Sequence, residues 1–187
     1  TSPNTGRSPA VGEHTFTISS ALGLVLVIDD DEVAKRPETK VIVDENLHDV
    51  PYVIEQTDLP LLVRTDTRQF LREADVVPGG RQECFGWWDG KKQQVVWSNS
   101  SMAVAVEQRT LRLGPDDHPV LEPEGATATL ISGATVDLRS GFSIMRDKLA
   151  AYDLASAAKI TGVHANVIRR FAREFAGARS AMIYAGA

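Results

Sequence analysis

The hydrophobic and polar positions of this chain change period along its length, and the changes divide it into stretches of different structure. Thr15 to Ser19 alternates as a strand does, and Leu22 to Ile28 is an apolar run too short to tell a buried strand from the core of a short helix. Val43 to Gln56 reads as a helix opened by Asp44, with Leu47, Val50, Val53 and Ile54 on one face and Pro51 either interrupting it or starting a second turn. Leu59 to Val63 is a compact apolar stretch, Phe70, Leu71, Ala74 and Val76 follow among charges, and Pro78-Gly-Gly80 is a turn. Between Glu83 and Val106 the pattern predicts short strands, Cys84 to Trp88, Gln94 to Trp97 and Met102 to Val106, with Asp89-Gly90 as a hairpin signal. Thr127 to Ile131 and Ala134 to Leu138 form another strand pair around Ser132-Gly133.

The last third has helical spacing. Phe142 to Tyr152 carries Phe142, Met145 and Leu149 on one face, and Asp153 caps a second helix that runs to Ile160. After the turn Thr161-Gly-Val-His164, a third helix from Ala165 to Ala178 has Val167, Ile168, Phe171, Ala172 and Phe175 as its apolar stripe and Arg169, Arg170, Arg173 and Glu174 outside it. Ala181 to Tyr184 reads as a buried strand cut where it reaches a glycine turn, so the chain is expected to be a piece of something longer. The remaining stretches, residues 1 to 12 and 114 to 126, are loop-like, as is the charged Asp29-Asp-Asp-Glu32 with Lys35, Arg36 and Pro37. Its spacing does not match an EF-hand, so a surface loop is favoured over a calcium site.

Composition narrows the chemistry. With 187 residues, 43% hydrophobic and 24% charged, the chain can bury a core. A net charge of -5 argues against a general nucleic-acid coat protein. The single cysteine, Cys84, excludes an internal disulfide, a Cys-rich zinc site and a cluster cradle within this chain, and its place beside Phe85 favours a core thiol over a nucleophile. His14, His48, His118 and His164 are too dispersed for metal-ligand spacing. No dinucleotide-binding glycine motif, Walker loop or G-x-S-x-G elbow occurs, and no catalytic residue or metal ligand is assigned. Trp87 and Trp88 are adjacent in a strand, so at most one faces any ligand, and core packing is favoured for both. Asn99-Ser-Ser101 fits a glycosylation sequon, a pattern too common to weigh. Ala21 to Ile28, the longest apolar run, is far too short to span a bilayer. Residues 140 to 187 carry seven Lys or Arg against three Asp or Glu, and residues 154 to 178 have the helix, glycine turn, helix order of a DNA-binding helix-turn-helix that would present Arg169, Arg170 and Arg173.

One string is more distinctive than these patterns. Thr57 to Val76, TDLPLLVRTDTRQFLREADV, resembles the catalytic subunits of molybdopterin oxidoreductases of the dimethyl-sulfoxide-reductase superfamily. The branch it resembles contains membrane-type nitrate reductase, chlorate and selenate reductases, dimethyl sulfide dehydrogenase and ethylbenzene dehydrogenase. The matching motifs are T-D-L-P-[FL]-L-V-R at Thr57 to Arg64, F-L-R-x-[SA]-D at Phe70 to Asp75, and an aromatic strand ending in W-D at Phe85 to Asp89. Asn99-Ser-Ser-Met102 is similar to the small-residue turn that follows, and Ala151 to Ala187 to the family's Y-[DS]-x-x-x-A-A-x-I-T-G-V segment, its helix and its strand.

The resemblance covers residues 10 to 187 and implies an α/β fold, a fragment of a molybdopterin-guanine-dinucleotide-binding oxidoreductase. It implies three parts: residues 1–80 as the α/β pterin-dinucleotide-binding portion, 81–140 as a β-rich insertion, and 141–187 as a helical segment leading into a buried strand. It implies a Mo-bis(molybdopterin guanine dinucleotide) cofactor, with 4Fe-4S clusters held elsewhere in the full subunit. The implied partners are the remainder of the catalytic subunit, an iron-sulfur electron-transfer subunit, and a haem or membrane-anchor subunit, with no nucleic acid. The complex would be membrane-associated, on either the cytoplasmic or the periplasmic side, and this chain not itself transmembrane.

The chain departs from the family before the apolar run. Where the family has A-D-x-W-x-x-I-x-P-G-T-D-x-A-L, with the last Asp on guanine, residues 12 to 24 place Ala21 at the Gly and Gly23 at that Asp. Guanine recognition has therefore moved or been lost, and His14, Ser19 and Ser20 are the remaining candidate cofactor contacts. The charged segment Asp29 to Thr39 resembles an insertion. Two readings compete with the enzyme: a helix-turn-helix DNA-binding protein using residues 154–178, and a cofactor-less paralogue.

Overall fold

Asp49 accepts a hydrogen bond from the Tyr52 N–H at 3.0 Å, and Pro51 occupies the first helical turn after it. These two local features split what the sequence pattern presents as one helix. The computed structural model describes the backbone of residues 16–19 and 25–28, and residues 37–98, 111 and 113–179 in full. In chain order its elements are β1 (Phe16–Ser19), β2 (Val25–Ile28), α1 (Pro37–Asp44), α2 (Val50–Gln56), β3 (Leu62–Arg64), α3 (Glu73–Val76), β4 (Gly86–Asp89), β5 (Gln94–Trp97), β6 (Thr127–Thr129), β7 (Thr135–Ser140), α4 (Gly141–Ala150), α5 (Leu154–Thr161) and α6 (Ala165–Gly177).

The mixed α/β class agrees with the sequence reading, and the described pairings are all antiparallel. β1 pairs with β2, β4 with β5, and β7 lies between β3 and β6. The Met102 to Val106 strand, the Asp29 to Glu32 loop, the Asn99 sequon and the closing Ala181 to Tyr184 strand lie outside the described residues.

Three expectations need correction. Pro37, read as part of a charged surface loop, instead opens α1 and is buried, as is Thr39. A proline is well placed in a first helical turn because its missing N–H would have no partner there. Second, Val53 and Ile54 are buried as read, but Leu47 and Val50 are exposed, because Leu47 falls between two helices instead of inside one. Third, only part of the α6 stripe is covered: Ile168 and Ala172 are buried, while Val167 and Phe171 are not.

The core has two faces, divided by period-2 alternation. Leu61 and Val63 point into a group containing Val53, Leu59, Phe85, Trp87, Phe142 and Met145, whereas Leu62 between them joins Leu71, Trp88, Ala128, Val136 and Leu138 on the other side. The two tryptophans thus pack in opposite directions and both serve the core, as their adjacency predicts. Cys84 is also fully buried, and burial raises its thiol pKa, which fits an inert core residue.

The distinctive strings turn out to be structural hardware. The Thr57 hydroxyl donates to the Val53 carbonyl at 2.6 Å and accepts from the Leu59 N–H at 3.1 Å, closing α2 and aiming the chain into β3. The backbone N–H groups of Gly141 and Phe142 donate to the carbonyls of Leu61 and Leu59, which seats the start of α4 on the same segment. Phe70 meets Phe85 edge-to-face at 5.8 Å, and the Arg72 guanidinium lies 4.6 Å over the Phe85 ring. Asp75 accepts from the Arg72 N–H at 2.9 Å and pairs with Arg64 at 3.5 Å.

Pro78-Gly-Gly80 then turns the chain. Gly79 has φ +76°, and a Cβ on Gly80 would lie 2.6 Å from the Glu73 carbonyl oxygen. That neighbour is backbone and cannot swing away, so Gly80→Ala is expected to destabilise the protein by about 1–3 kcal/mol. Urea unfolding measures it, and an unchanged midpoint would contradict this close approach.

Candidate functional site

Strand β3 ends in a tight turn that is held from three directions. The Arg64 N–H donates to the Gln69 carbonyl at 2.9 Å, the Arg68 N–H to the Arg64 carbonyl at 2.9 Å, and Thr65 donates through both its N–H and its hydroxyl to the Asp137 carbonyl at 3.1 Å. Arg68 takes a left-handed backbone, φ 57°, to complete it. Because β3 pairs with β7, this turn stands beside Arg139, and because β7 runs directly into α4, it also faces Ile144 and Lys148.

The result is an open cleft of about 390 Å³ lined by Val63, Arg64, Thr65, Arg68, Arg139, Ile144 and Lys148. Four lining side chains are cationic and none is a carboxylate. Acids stand behind them. Asp66 takes two hydrogen bonds from Arg64, at 3.1 and 2.8 Å, and Asp147 pairs with Arg139 at 2.7 Å. The hydrogen bond from Arg64 holds the Asp66 carboxyl below the usual range and raises the Arg64 pKa in turn. Arg139 also donates to the Ser143 carbonyl at 3.1 Å. A guanidinium has five N–H donors, so arginines oriented by these contacts keep donors for a further acceptor. Arg68 makes no ion pair among the described residues. Chemically, the cleft suits an anion with several oxygen acceptors, such as a phosphate-bearing group.

The sequence-predicted contacts fare differently. His14 and Ser20 lie outside the described residues. Ser19 ends β1, its backbone paired with Val25 of β2, and β1 lies against α2. The cleft residues were missed in the sequence. Arg64 and Arg68, either side of Thr65-Asp-Thr67, were a weak signal, but Arg139 and Lys148 arrive only through the sheet and the helix after it.

Other features have structural explanations. Among the described residues, no group of His, Cys, Asp or Glu could hold a metal ion, and no helix is long and apolar enough to cross a membrane. The His48 Nδ1 is buried without a hydrogen-bond partner, and its ring lies 5.1 Å from Phe142 beside a cleft of about 320 Å³. Burial lowers its pKa despite a hydrogen bond to Ile42, which suits a neutral ring packed on an aromatic face.

The geometry also weakens the DNA reading. Arg173 makes a two-pronged contact to Glu45 after α1, at 2.6 and 3.0 Å, Arg169 approaches the same carboxylate at 3.7 Å, and Arg170 faces Glu174 at 3.7 Å. A recognition helix needs these guanidiniums directed at the groove, whereas here two of them fasten α6 to the segment after α1.

No family model matches the chain. Individual proteins do. It is 37% identical over 163 residues to the perchlorate reductase subunit alpha of Dechloromonas aromatica (strain RCB), covering 78% of this chain and 18% of that protein. It is 35% identical over 179 residues to the dimethylsulfide dehydrogenase subunit alpha of Rhodovulum sulfidophilum, covering 96% of this chain and 19% of that protein. The respiratory nitrate reductase subunit alpha of Haloferax mediterranei is 33% identical over 154 residues, 79% of this chain and 15% of that protein. The chain therefore spans less than a fifth of the length of these relatives, and the resemblance read from residues 57–89 and 151–187 is borne out.

Proposed function

We infer that this chain is a segment of the catalytic alpha subunit of a molybdopterin-dependent oxidoreductase, in the branch that includes nitrate, chlorate and selenate reductases and dimethyl sulfide and ethylbenzene dehydrogenases. The observation that carries this reading is the alignment over 96% of the chain with one such alpha subunit. The whole enzyme would transfer electrons between a Mo-bis(molybdopterin guanine dinucleotide) centre and 4Fe-4S clusters held elsewhere in the subunit. Its partners would be the rest of that subunit, an iron-sulfur subunit, and a haem or anchor subunit. Residues 1–80 would belong to the pterin-dinucleotide-binding portion, 81–140 to the inserted segment, and 141–187 to the helices that follow.

When bound, the cofactor supplies the redox chemistry at molybdenum, and the protein supplies binding, orientation and electrostatics. The donor set of the basic cleft fits the anionic part of such a cofactor. Arg64, Arg68, Arg139 and Lys148 would hold the pyrophosphate of one dinucleotide. Asp66 and Asp147 would orient two of the guanidiniums, and Val63 and Ile144 would exclude water from one wall. His14, Ser19 and Ser20 remain candidate contacts to the guanine end.

The full-length native protein is expected to contain molybdenum by elemental analysis and an extractable pterin nucleotide. Arg68→Glu combined with Arg139→Glu is expected to lower the pterin recovered per folded polypeptide. Absence of both metal and pterin from the wild type would reject the reading in favour of a cofactor-less paralogue.

A further inference from the structure

Helix α6 carries a wider apolar face than the fold covers. At 3.6 residues per turn, Val167, Phe171, Phe175, Ile168 and Ala172 span an arc of about 140°. Ile168 and Ala172, on one side of that arc, are buried, and α6 packs against α1. At the other edge Val167 and Phe171 are 45% and 46% exposed. The apolar character continues backwards along the chain through Val163, 42% exposed, to Ile160 at the end of α5, 83% exposed. The Phe171 and Phe175 rings lie 5.8 Å apart, which joins the exposed edge to the half-covered centre of the stripe. Single exposed apolar residues are ordinary on a protein surface, but a group of them on one helix and on the turn and helix end before it marks a contact surface.

We propose that the exposed strip formed by Ile160, Val163, Val167 and Phe171 is a docking face covered by the remainder of the same polypeptide, which would present aliphatic and aromatic side chains to it. This rests on reading the chain as a segment of an alpha subunit. Two observations select that occupant. The chain aligns over 96% of its own length with a relative of which it makes up 19%, so most of such a subunit is available to cover it. The charged edge of α6 is also already committed within the segment, through Arg173 and Arg169 to Glu45, which leaves the apolar edge for contacts outside it.

Hydroxyl-radical labelling read by mass spectrometry on the full-length alpha subunit tests this. The subunit is labelled free of its partners at a concentration where it is monomeric, with the urea-unfolded chain as reference. On folding, Phe171 is expected to lose as much labelling as the buried Phe85, and Val167 as much as the buried Leu62. Labelling of Phe171 close to its unfolded level overturns the proposal. So does protection that arises only when partner subunits are added, or only as the concentration rises, since the occupant is then another subunit or a second copy. Molybdenum and pterin are measured on the same sample. A labelled Phe171 in a molybdenum-loaded subunit rejects the docking face alone, whereas a protected Phe171 in a subunit without metal or pterin upholds it and rejects the function.

Discussion

Asp89→Ala is expected to destabilise the protein by about 3–5 kcal/mol, the order of magnitude of stranding three partly buried backbone donors at about 1–3 kcal/mol each. The Asp89 side chain is fully buried where the β4–β5 hairpin turns. One of its oxygens accepts from the N–H groups of Lys91 at 2.9 Å and Lys92 at 2.8 Å, and the other from the His118 N–H at 3.2 Å. The Lys92 ammonium stands 3.3 Å away and reaches on to Asp117 at 3.2 Å. One carboxylate therefore closes the hairpin and ties it to the 114–119 segment. Alanine would leave those backbone donors without an acceptor.

This prediction has a pH signature. Burial alone would raise the Asp89 pKa, but the Lys92 and His118 N–H groups, the Lys92 ammonium and the Lys91 N–H outweigh it and hold the value at about 2, against an ordinary 3.8. A carboxyl with a lower pKa folded than unfolded stabilises fully above its unfolded value and loses that contribution as pH falls through its folded value. Here the contribution is about 2 kcal/mol, lost between roughly pH 4 and pH 2. Urea midpoints of wild type and Asp89→Asn should converge across that interval. A difference that stays constant with pH would show that the charge is not what holds the turn.

The second large effect is Trp87→Ala, expected to cost about 3–5 kcal/mol through the cavity it leaves. Trp87 is paired with Val96 across the hairpin, bridges to Leu61, and belongs to the larger core group that also holds side chains of α2 and α4. Under the proposed function, the competing role for an indole would be stacking on a cofactor ring, and the two roles separate in one experiment. Below its unfolding temperature the variant should retain the wild-type pterin content per folded molecule while unfolding at lower urea. A variant of normal stability that loses pterin would reverse the assignment.

Several features could be read locally because local chemistry causes them. Asp153 accepts from the N–H groups of Ala155 and Ser156 and starts α5 where its sequence position says it should, and Gly162 at φ 72° ends that helix. Asp89-Gly90 makes its hairpin, and the alternation of Trp87 and Trp88 assigns them to opposite core faces. The recognition strings were legible as family marks, but not as the clasps they form: Arg72 on Phe85 and Asp75 on Arg64 each join residues whose proximity depends on the folded path.

What the sequence by itself determined about this protein is its kinship, the cap at Asp153, the turns at Gly162 and Asp89-Gly90, and most of its core residues; the caps, turns and alternation were legible because they depend on residues within a turn or two of one another. The tertiary structure alone decided where the amphipathic faces find cover and where charge converges. Val167 and Ile168 are adjacent apolar residues of one helix, and only the position of α1 leaves the first exposed and the second buried. The basic cleft exists because β3 and β7 pair, bringing Thr65 to Asp137 across 72 residues of chain and Arg64 and Arg68 to Arg139 and Lys148. No periodicity in a single stretch encodes that meeting, because the backbone hydrogen bonds that align the two strands carry no side-chain signature.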